Sequence, residues 1–247
     1  MLLLLLLLLL LLLLLLCLRC APQFFAVGNF QAGGQQWGYM HGFRIYDGTH
    51  LPGELPAVAS IPDPLVSIDV VNGEIVFGGT ASYTGTVLGS PSIVAGPRGR
   101  MDAINFAGRT DQLQLGTAGI DTDASWTIDC YFKTPIPDTG QWHTLTRGLN
   151  GDHQVIINPD QTSLGSFDNV GGSGFTDASF DITSLADGWH RLTVAAGGGA
   201  ASFYVDGVPA GSHSTVSESD VSHLLPLGAK DCAPSHLFMF VCVCVCL

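Results

Sequence analysis

The side chains of this 247-residue sequence that could do chemistry are its carboxylates and histidines. Only three of its 21 acidic residues are glutamates: Glu54, Glu74 and Glu218. Hydrolysis of a glycosidic bond needs two carboxyl groups roughly 5 to 10 Å apart, one of them held protonated. A single strand supplies such a pair from positions i and i+2, which share a face. No glutamate here has that partner in a strand-like stretch; Glu218 precedes Asp220, but within the Ser-rich run "STVSESDVS". No G-x-S-x-G elbow presents a nucleophilic serine. His143 and His153 flank a loop that also holds Asp152, a set of nitrogen and oxygen donors that suits zinc; the competing reading is a pair of solvated loop histidines. The glycine runs "VGGSGF" and "AAGGGAA" lack the strand–loop–helix setting of a phosphate cradle and read as turns. The sequence therefore predicts no catalytic and no cofactor-binding residue, and leaves the metal question open.

The elements that position these residues are strands. "LVSIDVV" and "EIVF" flank Asn72-Gly73, a hairpin signal because both turn residues must take positive φ. "DAINF" and "DQLQL" follow, then "SWTIDCYFKT", which alternates cleanly up to Pro135. "HTLTR", "QVIIN" and "TSLGSF" are each bounded by Gly, Asn, Asp or Pro, and "WHRLTVAA" and "ASFYVDG" are joined by Gly197-Gly198-Gly199. Asp206-Gly207 makes a further hairpin turn. Turn signals at about 8- to 12-residue spacing indicate a sandwich or barrel. No stretch keeps helical periodicity over three turns. Residues 52–64, "PGELPAVASIPDP", hold four prolines and read as a linker.

Composition agrees with this. Hydrophobic residues make up 47% of the chain, enough for a sizeable core, and 31 glycines favour a turn-rich β architecture. The net charge of −12 repels phosphate backbones, which excludes nucleic acid as a partner. No Lys/Arg cluster marks an anionic membrane surface.

The two ends differ from the middle. Met1 is followed by an unbroken Leu2 to Leu16 and then Cys17-Leu18-Arg19-Cys20. Residues 1–20 read as a secretory-signal-like or anchor segment, with cleavage after Cys20, and compete with a translated trinucleotide repeat. The membrane enters as a partner only through this segment, if it stays uncleaved. Residues 234–247 end in "VCVCVCL", the product of a GT dinucleotide repeat and read as a gene-model artefact; as a strand it would be an aggregation hazard. These ends hold five of the seven cysteines. Cys130 alternates with Trp126, Ile128 and Phe132 and is predicted to be a small buried hydrophobe. A Cys130–Cys232 disulfide is the one internal pairing open to the chain.

"INFAGRTDQLQLG", "SWTIDCYFKT" and "GWHRLTVAAGGGAASFYVDG", in this order, resemble the laminin-G-like branch of the concanavalin A-like lectin/glucanase superfamily. The resemblance implies an all-β fold with little helix: a two-sheet antiparallel jelly-roll sandwich. It does not imply one function, since that fold hosts lectins, glycosidases and adhesion modules. Glucanases of the superfamily write E-x-D-x-[x]-E on one strand, which this chain lacks. Some laminin-G-like members bind Ca²⁺ at the sandwich rim, and Asp121 and Asp123, Asp152, or Asp168 with Asn169 could supply the oxygens. Within the third stretch, Leu192, Val194, Phe203 and Val205 are predicted to face inward, and Trp189 to plug the end of the core.

"MHGFRIYDG", residues 40–48, resembles the closing strand of such a module although it stands near the front. The layout is then 21–55 as a C-terminal strand segment, 56–64 as a Pro-rich linker, and 65–233 as a jelly roll lacking its final strand. The linker reaches roughly 30 Å. Gly42 to Tyr46 is therefore predicted to fill the gap left after Lys230, with Phe43 and Ile45, or else Arg44 and Tyr46, facing the core. The expected function is a non-catalytic binding or adhesion module, secreted or on the cell surface, whose ligand is a glycan or a protein. The alternatives are a carbohydrate-active enzyme without the usual carboxylates and a truncated gene fragment.

Overall fold

A computed structural model of the chain describes residues 24–30, 35–53, 63–108, 110–116, 125–148, 152–169 and 172–214. In chain order its strands are β1 (Phe24–Val27), β2 (Asn29–Phe30), β3 (Gln35–Gln36), β4 (Gly38–Asp47), β5 (Val66–Val71), β6 (Glu74–Gly78), β7 (Gly85–Leu88), β8 (Ser92–Ala95) and β9 (Met101–Phe106). They continue as β10 (Gln112–Gly116), β11 (Trp126–Thr134), β12 (His143–Arg147), β13 (His153–Ile157), β14 (Ser163–Asp168), β15 (Gly174–Asp181), β16 (Gly188–Gly197), β17 (Ala200–Val205) and β18 (Val208–His213). One 3₁₀ turn, Ile182–Ser184, is the only helical piece among the described residues, and none of these holds a helix long and apolar enough to cross a membrane.

All strands but β2 and β3, which pair with each other, form two antiparallel sheets packed face to face, the predicted sandwich. A seven-stranded sheet runs β15-β14-β13-β12-β1-β10-β7; a nine-stranded sheet runs β18-β17-β16-β11-β4-β5-β6, with β9 and β8 attached through β4. Between them lies one core. Its largest fully buried side chains include Trp37, Trp126, Phe25, Phe43, Phe106, Phe132 and Phe203. The alternation in "WTIDCYF" is realised: Trp126, Ile128, Cys130 and Phe132 face inward, while Tyr131 and Lys133 face out. Cys130 is a free, fully buried thiol; burial, aided by the nearby Asp129, pushes its pKa well above the usual range. Its proposed partner Cys232 lies outside the described residues.

The N-terminal strands are internal to both sheets. β1 pairs with β10 on one side and β12 on the other. β4 pairs with β11 on one side and with β5 and β9 on the other. Phe43 and Ile45 are the pair that faces the core, and both are fully buried. Met40, three positions before Phe43, is buried as well. Strict alternation forbids that, and a bulge resolves it: the register with β11 shifts between Asp129 and Tyr131, and Gly42 there takes φ +61°. A glycine makes that left-handed step without steric cost. β1 and β4 thus belong to the same sandwich as β5 to β18. The stretch around Lys230 lies outside the described residues.

"INFAGRTDQLQLG" turns out to connect the two sheets. β9 belongs to the nine-stranded sheet and β10 to the seven-stranded one, so they do not pair with each other. Asp111 fixes the crossing. Its carboxylate accepts from the Gly108 amide at 2.7 Å and from the Ser90 amide at 2.8 Å, while Phe106 anchors the preceding strand in the core. The F-x-G-x-x-D spacing is therefore a structural clasp.

Candidate functional site

Strand pairing decides what each sheet turns outward, because paired residues share a face. On the seven-stranded sheet Leu145, Val155, Ile157 and Leu164 belong to the core. His153, Phe167 and Phe175 lie in one cross-strand row on the opposite, outer side. Thr144 and Ile156 form the next row, with Gly165 beside them. Trp142 packs over both phenylalanines, with ring centroids 5.2 Å from each. Gly165 makes room for this: a Cβ there would sit 2.9 Å from the Phe175 ring. The result is a half-buried aromatic trio on an outer surface, floored by Thr144, His153 and Ile156, all buried.

His153 is tuned to stay neutral. Burial and the adjacent Arg147 guanidinium lower its pKa to about 3. Its Nδ1 lies 3.2 Å from the Thr144 hydroxyl, and its ring stands edge-on to Phe167. A neutral imidazole, a hydroxyl and three aromatic rings have the chemistry to contact a polar ligand with apolar faces. The outward carboxylates of this sheet serve their own turns: Asp177 accepts from the Ser179 amide, and Asp181 from the amide and hydroxyl of Thr183.

His143 pairs with Ile157 and is fully buried on the core side, whereas His153 points outward, so the sheet separates them. Neither is a solvated loop residue; both are buried strand residues, a correction to that reading. Asp152 and Asn169 do meet, through the Asn169 amide and the Asp152 carboxylate at 2.7 Å. Asp168 turns instead to Ser173, whose hydroxyl donates to it at 2.6 Å. Asp121 and Asp123 lie outside the described residues. Among the described residues no three His, Cys, Asp or Glu side chains group so as to hold a metal ion.

Trp189 is the clear correction. It is half-buried on the outer face of the nine-stranded sheet, paired with Lys133 and edge-on to Tyr39 at 6.4 Å. The reason is parity. Leu192 and Val194 face the core as predicted, and a residue three positions before Leu192 must face the other way. Phe203 and Val205 point inward and Asp206-Gly207 makes the turn, as predicted. The aromatic trio of Trp142, Phe167 and Phe175 was missed, although the same arithmetic exposes it: Phe167 is out of phase with the buried Leu164.

A laminin-G family model, described as the Concanavalin A-like lectin/glucanases superfamily, matches residues 107–235. No curated protein and no solved structure matches the chain. The matched span omits β1 and β4, which the sandwich nevertheless contains at the centre of both sheets.

Proposed function

This chain belongs to the concanavalin A-like lectin/glucanase superfamily, and from that membership we propose that it is a non-catalytic extracellular binding module whose ligand, glycan or protein, docks on the outer face of the seven-stranded sheet. The observation that carries the reading is the aromatic trio of Trp142, Phe167 and Phe175 beside neutral His153 and Thr144. Aromatic rings with a few fixed polar groups are the usual lining of a recognition site. Laminin-G-like domains are generally non-catalytic, though the superfamily also contains glucanases. Among the described residues of this face, Asp177 and Asp181 accept hydrogen bonds from their own turns, which supports the non-catalytic reading. Laminin-G-like domains are typically extracellular, and the Leu2–Leu16 run suits secretion.

A glycan array and a panel of immobilised extracellular-matrix proteins test the reading. Trp142→Ala and Phe167→Ala should each reduce the bound signal at least tenfold. A β-glucan hydrolysis assay run alongside should show no turnover. Turnover lost on replacing one carboxylate would make this an enzyme.

A further inference from the structure

The opposite side of the molecule carries a second aromatic cluster, independent of the site just described. On the outer face of the nine-stranded sheet, Trp189 pairs with Lys133, whose ammonium lies over Tyr39, and His41, Tyr131 and Arg191 form one row across β4, β11 and β16. All six are partly exposed. Three observations indicate what this surface suits. The first is residue type: Trp, Tyr and Arg are the side chains on which protein interfaces concentrate their binding energy. The second is ring orientation. Trp189 and Tyr39 are inclined at 74°, and His41 and Tyr131 at 58°, so the rings do not form the level platform that successive sugar rings would stack on. The third is charge. On this face Asp69 holds Arg44 at 2.7 Å and Asp129 holds Arg191 at 2.9 Å. The ammonium of Lys133 sits over the Tyr39 ring at 5.2 Å and forms no ion pair among the described residues. An unpaired cation among aromatic side chains, in a chain of net charge −12, calls for an anionic group from outside. A second copy of the chain fits poorly, because both partners would carry that large negative charge.

We propose that this face docks a different protein, through a surface that presents aromatic or apolar side chains around a carboxylate aimed at Lys133. The test pans a phage-displayed library of random peptides against the full chain, with a glycan array run in parallel. Selected peptides should be rich in Trp, Tyr or Phe together with Asp or Glu. Trp189→Ala and Tyr131→Ala should each weaken them at least tenfold, and Lys133→Glu should reverse the acidic preference. Val87→Ser, at the far edge of the other sheet, should leave them unchanged. Denaturation midpoints of each variant separate lost binding from lost folding, and Lys133→Glu, a surface exchange, keeps the test open if an aromatic variant misfolds. Three outcomes overturn the proposal: no enriched peptides, peptides indifferent to all three substitutions, or glycan binding that Trp189→Ala removes.

Discussion

His190 Nδ1 and Asp206 Oδ2 lie 2.7 Å apart across the hairpin between β16 and β17, while His190 Nε2 reaches the Ala186 carbonyl at 2.8 Å. Both ring nitrogens thus face acceptors, the arrangement of a protonated imidazole. Burial alone lowers this pKa, but the bonds to Asp206 and Ala186 and the Asp206 charge outweigh it, and the net shift is upward. A raised folded pKa stabilises below the unfolded value near 6.5 and loses that contribution as pH rises through the folded value. Stability should therefore fall by up to about 1 kcal/mol above neutral pH, as for a solvent-facing pair. Asp206→Asn should flatten that decline in urea titrations between pH 6 and 9; an unchanged profile would remove His190 as its source.

His153 should act in the opposite sense. Its folded pKa of about 3 lies below the unfolded value, so the unfolded chain binds the extra proton between the two. Stability should drop as pH falls from 6.5 toward 3, by at most about 1.4 kcal/mol per pH unit. His153→Gln should lessen that slope, and denaturant midpoints measured at pH 4, 5 and 7 check it.

The two tryptophans of adjacent strands should separate sharply. Trp126 is 1% exposed in the core, and Trp126→Ala should cost about 3 to 5 kcal/mol. Trp189→Ala, on the outer face, should cost about 1 kcal/mol or less. Equal losses in guanidinium titrations would return Trp189 to the core.

The Asp111 clasp predicts a specific defect. Asp111→Ala leaves the Gly108 and Ser90 amides without their acceptor, at a cost of about 1 to 3 kcal/mol. Asp111→Asn keeps one oxygen acceptor and should recover part of the loss. If both variants lose equally, the clasp works through the charge rather than through bond count.

A chain beginning at Pro62 lacks β1 and β4, and should show no cooperative thermal transition. A sharp transition from such a chain would show that the remaining strands close the sheets without them.

Much of the fold was legible in the residues. The Asn72-Gly73 and Asp206-Gly207 turns both take the positive φ their types require. Phe43 and Ile45 were one of two permitted registers, and their apolar character matched the inward side. Strands β7, β8 and β15 were passed over because "GTVL", "SIVA" and "GFTDASFD" are short or polar and exposed at sheet margins, where burial leaves little pattern. The candidate site was hardly legible at all. Phe167 and Phe175 are separated by a loop, and only the β14–β15 register brings them side by side. Trp142 reaches them from the residue just before β12. Trp189 could have been placed correctly by counting from Leu192.

The central position of β1 and β4 has a kinetic consequence. Each divides its sheet: β12 and β10 are joined through β1, and β11 and β5 through β4. β1 is synthesised before its neighbours, and its partner β12 lies more than a hundred residues further along. Such long-range pairing closes slowly, because loop entropy is lost before contacts form. During synthesis "GFRIY" can pair early with β5, whereas its other neighbour β11 and the neighbours of "FFAV", β10 and β12, follow much later. Closure of both sheets therefore waits for these distant strands, and the nascent chain depends on shielding of β1 from aggregation until they arrive.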